Sequence, residues 1–171
     1  MVNHWIFKVK DDIIDGDRKE GIEIYLQRMS DRFWGLNPKA SSLRYLEPND
    51  KVVFYLAGSG EHKFLGTCLL DSRYYELSKE EKTLLWHSKF FRPSHGVRLK
   101  QVNIWSTPKH INPLIKAGAL KFIADPSIWG SYLQGSIRSI SPEDYGTITQ
   151  GNESEARIRT GAYSISANSM L

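Results

Sequence analysis

The residues of this chain best suited to chemistry are aromatic rings set in polar, glycine-punctuated stretches, and the chemistry they suit is recognition. Trp34 stands in Phe33-Trp34-Gly35-Leu36-Asn37, Trp129 in Ser127-Ile128-Trp129-Gly130-Ser131-Tyr132, and Phe91 in Phe90-Phe91-Arg92-Pro93. A flat ligand such as a nucleobase is held by stacking on an aromatic face and by hydrogen bonds to its edge. An indole supplies the stack, worth about 1–3 kcal/mol per base, while Asn, Ser and backbone amides supply the edge contacts. Arg92, Lys100, Lys109, Lys116 and Arg138 are the basic residues near enough in sequence to hold phosphates. The competing assignment for each ring is a place in the core. Trp5 and Trp105 sit inside strand-like alternation and read as core.

The sequence carries none of the common signatures of bond making. The sequence has no G-x-x-x-x-G-K-[ST] loop, no G-x-G-x-x-G after the first strand, no H-x-x-x-H pair and no G-x-S-x-G elbow. The five histidines, His4, His62, His87, His95 and His110, are scattered, whereas zinc needs three or four convergent ligands. Gly58-Ser59-Gly60 reads as a hairpin turn, since no helix follows to hold an anion at its N-terminus. The acid pairs Asp11-Asp12, Glu80-Glu81 and Glu143-Asp144 fall in turns or at helix starts, where capping accounts for them. The single cysteine, Cys68, excludes an intramolecular disulfide and reads as a small core residue. The expectation is a protein without catalytic residues, metal or cofactor.

A chain of 171 residues suits one domain with a real core. Its 40% hydrophobic and 12% aromatic content is that of an ordinary folded protein. The formal charge of +4 is compatible with a polyanion partner. Neither a signal peptide nor an apolar run long enough to span a membrane is visible, so the expected location is the cytoplasm.

These residues must be positioned by a succession of short elements. Asn3 to Lys10 alternates around Trp5, Phe7 and Val9 and predicts a strand. Asp15-Gly16-Asp17 breaks the chain, and Glu20 to Met29 places Ile22, Tyr25, Leu26 and Met29 at helical spacing. Ser30 to Asn37 reads as a loop, Lys39 to Leu46 as a short helix. After the turn Pro48-Asn49-Asp50 comes a hairpin of two buried strands within Asp50–Asp71. Ser78-Lys79-Glu80-Glu81 is a capping box opening a helix through Trp86. Phe90 to Gly96 is an aromatic, basic loop, Val97 to Trp105 alternates as a strand, and Pro108 to Gly118 predicts a loop with a short helix. Leu120 to Ile123 is a brief apolar run. Gly135 to Ile140 predicts a last strand, and Ser141-Pro142-Glu143-Asp144 a helix start with proline in the first turn and acids at the positive end of the dipole. From about Gln150 the composition turns to Ser, Asn, Gly and Ala. The expectation is therefore an α+β domain over residues 1–150, with a small, twisted, mostly antiparallel barrel and short peripheral helices, followed by a polar tail or arm over 151–171.

The order of these features resembles the EVE domain of the PUA-like superfamily. Trp34-Gly35-x-Asn37, Ala40 and Leu43, then Asn49-Asp50-x-x-x-Phe54-Tyr55 and Gly66, follow that family's sequence of a Trp and Gly, a downstream Asn and Ala, a turn with Asp and a Phe-Tyr strand end. The hairpin from Lys51 to Ser72 is similar to that of the related YTH domain. The likeness continues through Phe91-Arg92-Pro93, Val97 to Trp105 and Trp129 to Gly135, up to Tyr145, and so covers most of residues 3–150. One departure stands out: Trp34 and Gly35 are adjacent, where many EVE members have a residue between them.

The resemblance implies a barrel whose pocket accepts a base, often a modified one, flipped out of DNA or RNA. The expected base-binding set is then Lys8, Trp34, Gly35, Asn37, Phe91, Trp129 and Tyr132, and the basic residues read above give Arg92, Lys100, Lys109 and Arg138 as the expected phosphate contacts. Trp34 would be one cage wall; Trp129 and Phe91 rank ahead of Trp86 for the other. A runner-up reading, suggested by the related ASCH branch, is a nucleoside or RNA hydrolase; it would have to assemble Lys8 with Thr67 or Glu76, and the branch's spacing is absent. A protein-interaction module is the third.

Overall fold

Apolar alternation makes the first strand two-faced. In β1 (His4–Val9), Trp5, Phe7 and Val9 are buried on one side and Ile6 on the other. The central strand β5 (Lys51–Leu56) repeats the arrangement: Val52, Phe54 and Leu56 join the first side, Val53 and Tyr55 the second. A strand covered on both faces reads as a continuous apolar run, which is why Val52-Val53-Phe54-Tyr55-Leu56 carries no polar residue. The computed structural model describes residues 1–58, 60–86 and 92–152.

Between these two strands come the hairpin β2 (Asp12–Ile14) and β3 (Asp17–Lys19), helix α1 (Gly21–Asp31), the short strand β4 (Phe33–Gly35) and a 3₁₀ turn at Leu43–Tyr45. After β5 follow β6 (Lys63–Leu70), β7 (Tyr75–Glu76), α2 (Lys79–Leu85), the long β8 (His95–His110), α3 (Asn112–Lys116), a 3₁₀ stretch over Pro126–Leu133, β9 (Ile137–Ile140) and α4 (Pro142–Thr149). The main sheet runs β4-β8-β6-β5-β1-β9, with β7 pairing β8. Its pairs are antiparallel except β1 with β5, whose register sets Trp5 beside Val52 and Phe7 beside Phe54. The end strands β4 and β9 are not joined, so the sheet is a curled half-barrel where the sequence led us to expect a closed one.

One face of the sheet packs under α1, which contributes Ile24, Tyr25 and Met29, and under Leu43 and Leu46 near the 3₁₀ turn. The other packs under Ile111, Leu120, Ile123, Leu133 and, from α4, Ile148. The expected capping box is present: the Ser78 hydroxyl accepts from the Glu81 amide and the Glu81 carboxylate accepts from the Ser78 amide, both at 3.1 Å. Ser141 likewise accepts from the Asp144 amide at 3.0 Å. Asp144, expected only as a favourable charge at a helix start, also accepts from the amides of Lys121 and Phe122 and so ties the 120s segment to α4.

The hairpin β2–β3, the strand β7 and the 3₁₀ stretch over Pro126–Leu133 were not expected from the sequence, and three further features depart from it. β8 is longer than expected and takes in Pro108–His110. Residues 39–46 hold only a 3₁₀ turn. Ser30 to Asn37 is not a plain loop: Arg32 adopts a left-handed conformation (φ 55°) that ends α1 and swings the chain into β4. The tail beyond Asn152, Ser59 of the expected hairpin turn and Phe91 lie outside the described residues. Among the described residues no helix is long and apolar enough to cross a membrane.

Asp50, only 1% exposed, ties the start of β1 to the turn before β5. Its carboxylate accepts from the Asn3 amide (3.0 Å), the Trp5 indole (2.9 Å) and the Glu47 amide (3.0 Å). Removing it strands three donors, so Asp50→Ala is expected to lower the unfolding free energy by about 2–4 kcal/mol. Urea denaturation of the variant beside the parent checks this; a loss under about 1 kcal/mol would mean that water replaces the carboxylate.

Candidate functional site

The three residues of β4 pair with the start of β8: Phe33 with Arg98, Trp34 with Val97, Gly35 with Gly96. The approach is close because position 96 is glycine; a Cβ there would collide with the Trp34 carbonyl oxygen and the Phe33 ring. Alternation then sends Phe33 toward Leu77 and Tyr75, and Trp34 into the main core. Trp34 is 1% exposed, with Phe54 at 4.7 Å and Phe7 at 5.9 Å between ring centroids. The Arg28 guanidinium carbon lies over the indole, 4.3 Å from its centroid. The expectation of Trp34 as an open cage wall is therefore corrected. Its place in a paired strand turns the ring inward, and an arginine covers it.

Arg28 is the residue that the sequence reading missed. It falls four residues after Ile24 and three after Tyr25, on the inward stripe of α1, and a basic residue on a buried stripe was the available signal. The side chain is half-buried. Desolvation pulls its pKa down to about 10, with Asp12 acting in the opposite direction, so the group stays cationic at neutral pH.

Arg28 lines a cleft of about 430 Å³, together with Asp12, Gly35, Leu36, Asn37, Pro38, Arg92, Pro93, Ser94 and His95. Asn37 is exposed, and its side-chain oxygen accepts from the Lys39 amide at 2.9 Å, which leaves the amide nitrogen available to donate. The Leu36 amide donates to the His95 carbonyl at 3.0 Å, closing β4 onto the start of β8. Three expected site residues, Gly35, Asn37 and Arg92, thus share one cleft.

The other expected residues lie apart from it. Trp129 and Tyr132 pack on the opposite core, where the Trp129 ring meets His62 edge-on at 5.2 Å and the Tyr132 hydroxyl accepts from the Asp125 amide. Lys8 reaches across to the Leu133 carbonyl at 3.0 Å; burial, and to a lesser degree Lys10, lower its pKa. It also lines a smaller hollow with Arg28 and Asp12. Lys100 sits 3.7 Å from Asp71, Lys109 bonds the Gln150 carbonyl, Lys116 is in the last turn of α3, and Arg138 lies over Phe122. None of these four lines the cleft. Lys8 and Thr67 line different hollows, Thr67 one that it shares with Tyr145, and Glu76 is exposed on β7. Among the described residues no group of three His, Cys, Asp or Glu side chains could hold a metal ion.

No protein-family model matches the sequence, and no curated protein matches it. Solved structures do. A hypothetical protein from Leishmania major superposes with a TM-score of 0.61 at 19% identity, over 91% of this chain and 97% of that one. The human THYN1 protein in complex with 5-methylcytosine containing DNA gives 0.57 at 16% identity, over 88% and 98%. The YTH domain of Zygosaccharomyces rouxii MRB1 protein in complex with N6-methyladenosine RNA gives 0.51 at 12% identity, over 87% and 85%. This chain has a PUA-like fold. On the PUA-like frame the cleft lies at the β4 edge of the half-barrel, beside the C-terminal half of α1.

The different placements of Trp34 and Asn37 separate core from cleft. Trp34→Ala is expected to cost about 3–5 kcal/mol of stability, as large-to-small core changes do. Asn37→Ala should change stability by less than about 1 kcal/mol. Urea denaturation of both variants tests the assignment, and similar losses would refute it.

Proposed function

We propose that this chain binds nucleic acid by taking one base, carrying a modification, into the cleft between β4 and the start of β8. The observation that carries the reading is the Arg28 guanidinium resting on Trp34 and lining that cleft. Unstacked bases lie on guanidinium planes as well as on aromatic rings, and the same group donates N–H bonds to base acceptors. Trp34 acts through Arg28 by fixing where the cation sits. The Asn37 amide offers a donor to the base edge, and Arg92 supplies a charge for the adjoining phosphate. The net charge of +4 suits a polyanion. Two structures of the same fold hold 5-methylcytosine DNA and N6-methyladenosine RNA, which supports a modified base as the ligand here. Binding in this form is non-covalent and needs no acid–base pair.

Fluorescence anisotropy with short strands carrying 5-methylcytosine, N6-methyladenine or unmodified bases tests the proposal. The parent protein should prefer one modified strand. Arg28→Ala and Asn37→Ala should each weaken it by about tenfold, within the range of one lost stacking or edge contact. A parent that binds no strand, or variants that bind as well as the parent, would overturn the reading. Tighter binding by Arg28→Ala would overturn the contact role of Arg28, because the guanidinium would then be blocking the indole.

A further inference from the structure

A second hollow adjoins the cleft. It measures about 850 Å³, roughly twice the cleft, and runs along the 3₁₀ turn from Pro38 to Leu46, with Arg73 and Tyr74 on its far side. The two share a wall. Pro38 lines both; the Tyr74 hydroxyl donates to the Leu36 carbonyl at 3.3 Å; and the Tyr74 ring stacks on His95 at 5.7 Å with 16° between planes.

Two arginines and an exposed ring give this groove its character. Tyr45 is 53% exposed, a high value for an aromatic residue, with the Arg44 guanidinium carbon 4.8 Å from its ring centroid. Arg44 also donates to the Tyr45 hydroxyl at 2.7 Å, which holds the charge beside the ring. Arg73, which is well exposed, pairs with the partly exposed Glu47 at 2.5 Å; an ion pair so open to water contributes little, so a phosphate can replace that carboxylate at little cost. A planar ring beside paired cations is the combination that holds a single strand: bases stack, phosphates neutralise.

We infer that this groove holds the strand flanking the captured base, with phosphates on Arg44 and Arg73 and a neighbouring base on Tyr45. The inference rests on the cleft reading and adds a subsite of different chemistry, electrostatic and insensitive to sequence. The groove meets the cleft at Pro38 and at the Tyr74–His95 stack, so one strand passing over that shared wall can occupy both.

The test uses two probes with the same central 5-methylcytosine, a nine-nucleotide single strand and a trinucleotide, with N6-methyladenine versions in parallel. The groove variants are Arg44→Gln/Arg73→Gln and Tyr45→Ala, all at exposed positions, with urea midpoints confirming that they fold. Each is expected to lose about tenfold on the nine-mer and little on the trinucleotide. The double variant should also flatten the slope of log affinity against log salt by about 1.4, the value for two phosphate contacts on a single strand. Nine-mer affinity and salt slope equal to the parent's would overturn the groove and leave the cleft standing. Equal losses on both probes would also overturn it, since the residues would then act on the cleft. A parent that binds neither probe would overturn the cleft reading, and the groove with it.

Discussion

The site depends on a cation held over a buried indole. Arg28 comes from α1 and Trp34 from β4, and they meet because Arg32 turns the chain through a left-handed residue between those elements. Trp34 in turn leans on Phe7 of β1 and Phe54 of β5. A guanidinium over a desolvated ring gains about 0.5–2 kcal/mol, which offsets part of the cost of withdrawing it from water. The lowered pKa records what remains of that cost, yet the charge persists at neutral pH. The cleft is thus lined by a fixed positive group whose position is set by the deepest part of the core.

The sheet divides the aromatic residues into two sets that sequence proximity does not separate. Trp34, Phe7 and Phe54 lie on the α1 side; Tyr55, Trp105, Trp129 and Tyr132 lie on the side covered by α3 and α4. Lys8 follows the second set through its bond to Leu133, although its neighbour Phe7 belongs to the first. Two rings facing each other across a slot would have had to come from one side. The arrangement instead pairs one ring with one arginine.

Much of the fold was legible because local rules governed it. The alternation of β1, the apolar run of β5, the Ser78 capping box and the Ser141 helix start each depend on residues within a few positions of one another. The site was legible in part. Gly35, Asn37 and Arg92 share a cleft, but nothing within Phe33-Trp34-Gly35 reveals that three residues pair with a strand some sixty positions on and thereby bury the indole. The same limit applied to Lys100, Lys109 and Arg138, whose partners Asp71, Gln150 and Phe122 come from other elements. Positive charge is visible in a sequence; the direction it faces is a property of the sheet. Arg28 could have been found, had its place on the inward stripe of α1 been weighed against its charge.

The place of β1 in the strand order has a consequence for synthesis. β1 is made before both of its neighbours, β5 and β9, so His4 must wait for Lys51 on one edge and for Ile140 on the other. Until the ribosome has released β9, the nascent chain carries an apolar ribbon with an unpaired row of amides and carbonyls. Such a border invites pairing with another chain. Long-range closures of this kind are also slow to form. Pairing with β9 therefore closes the edge of β1 that β5 leaves open.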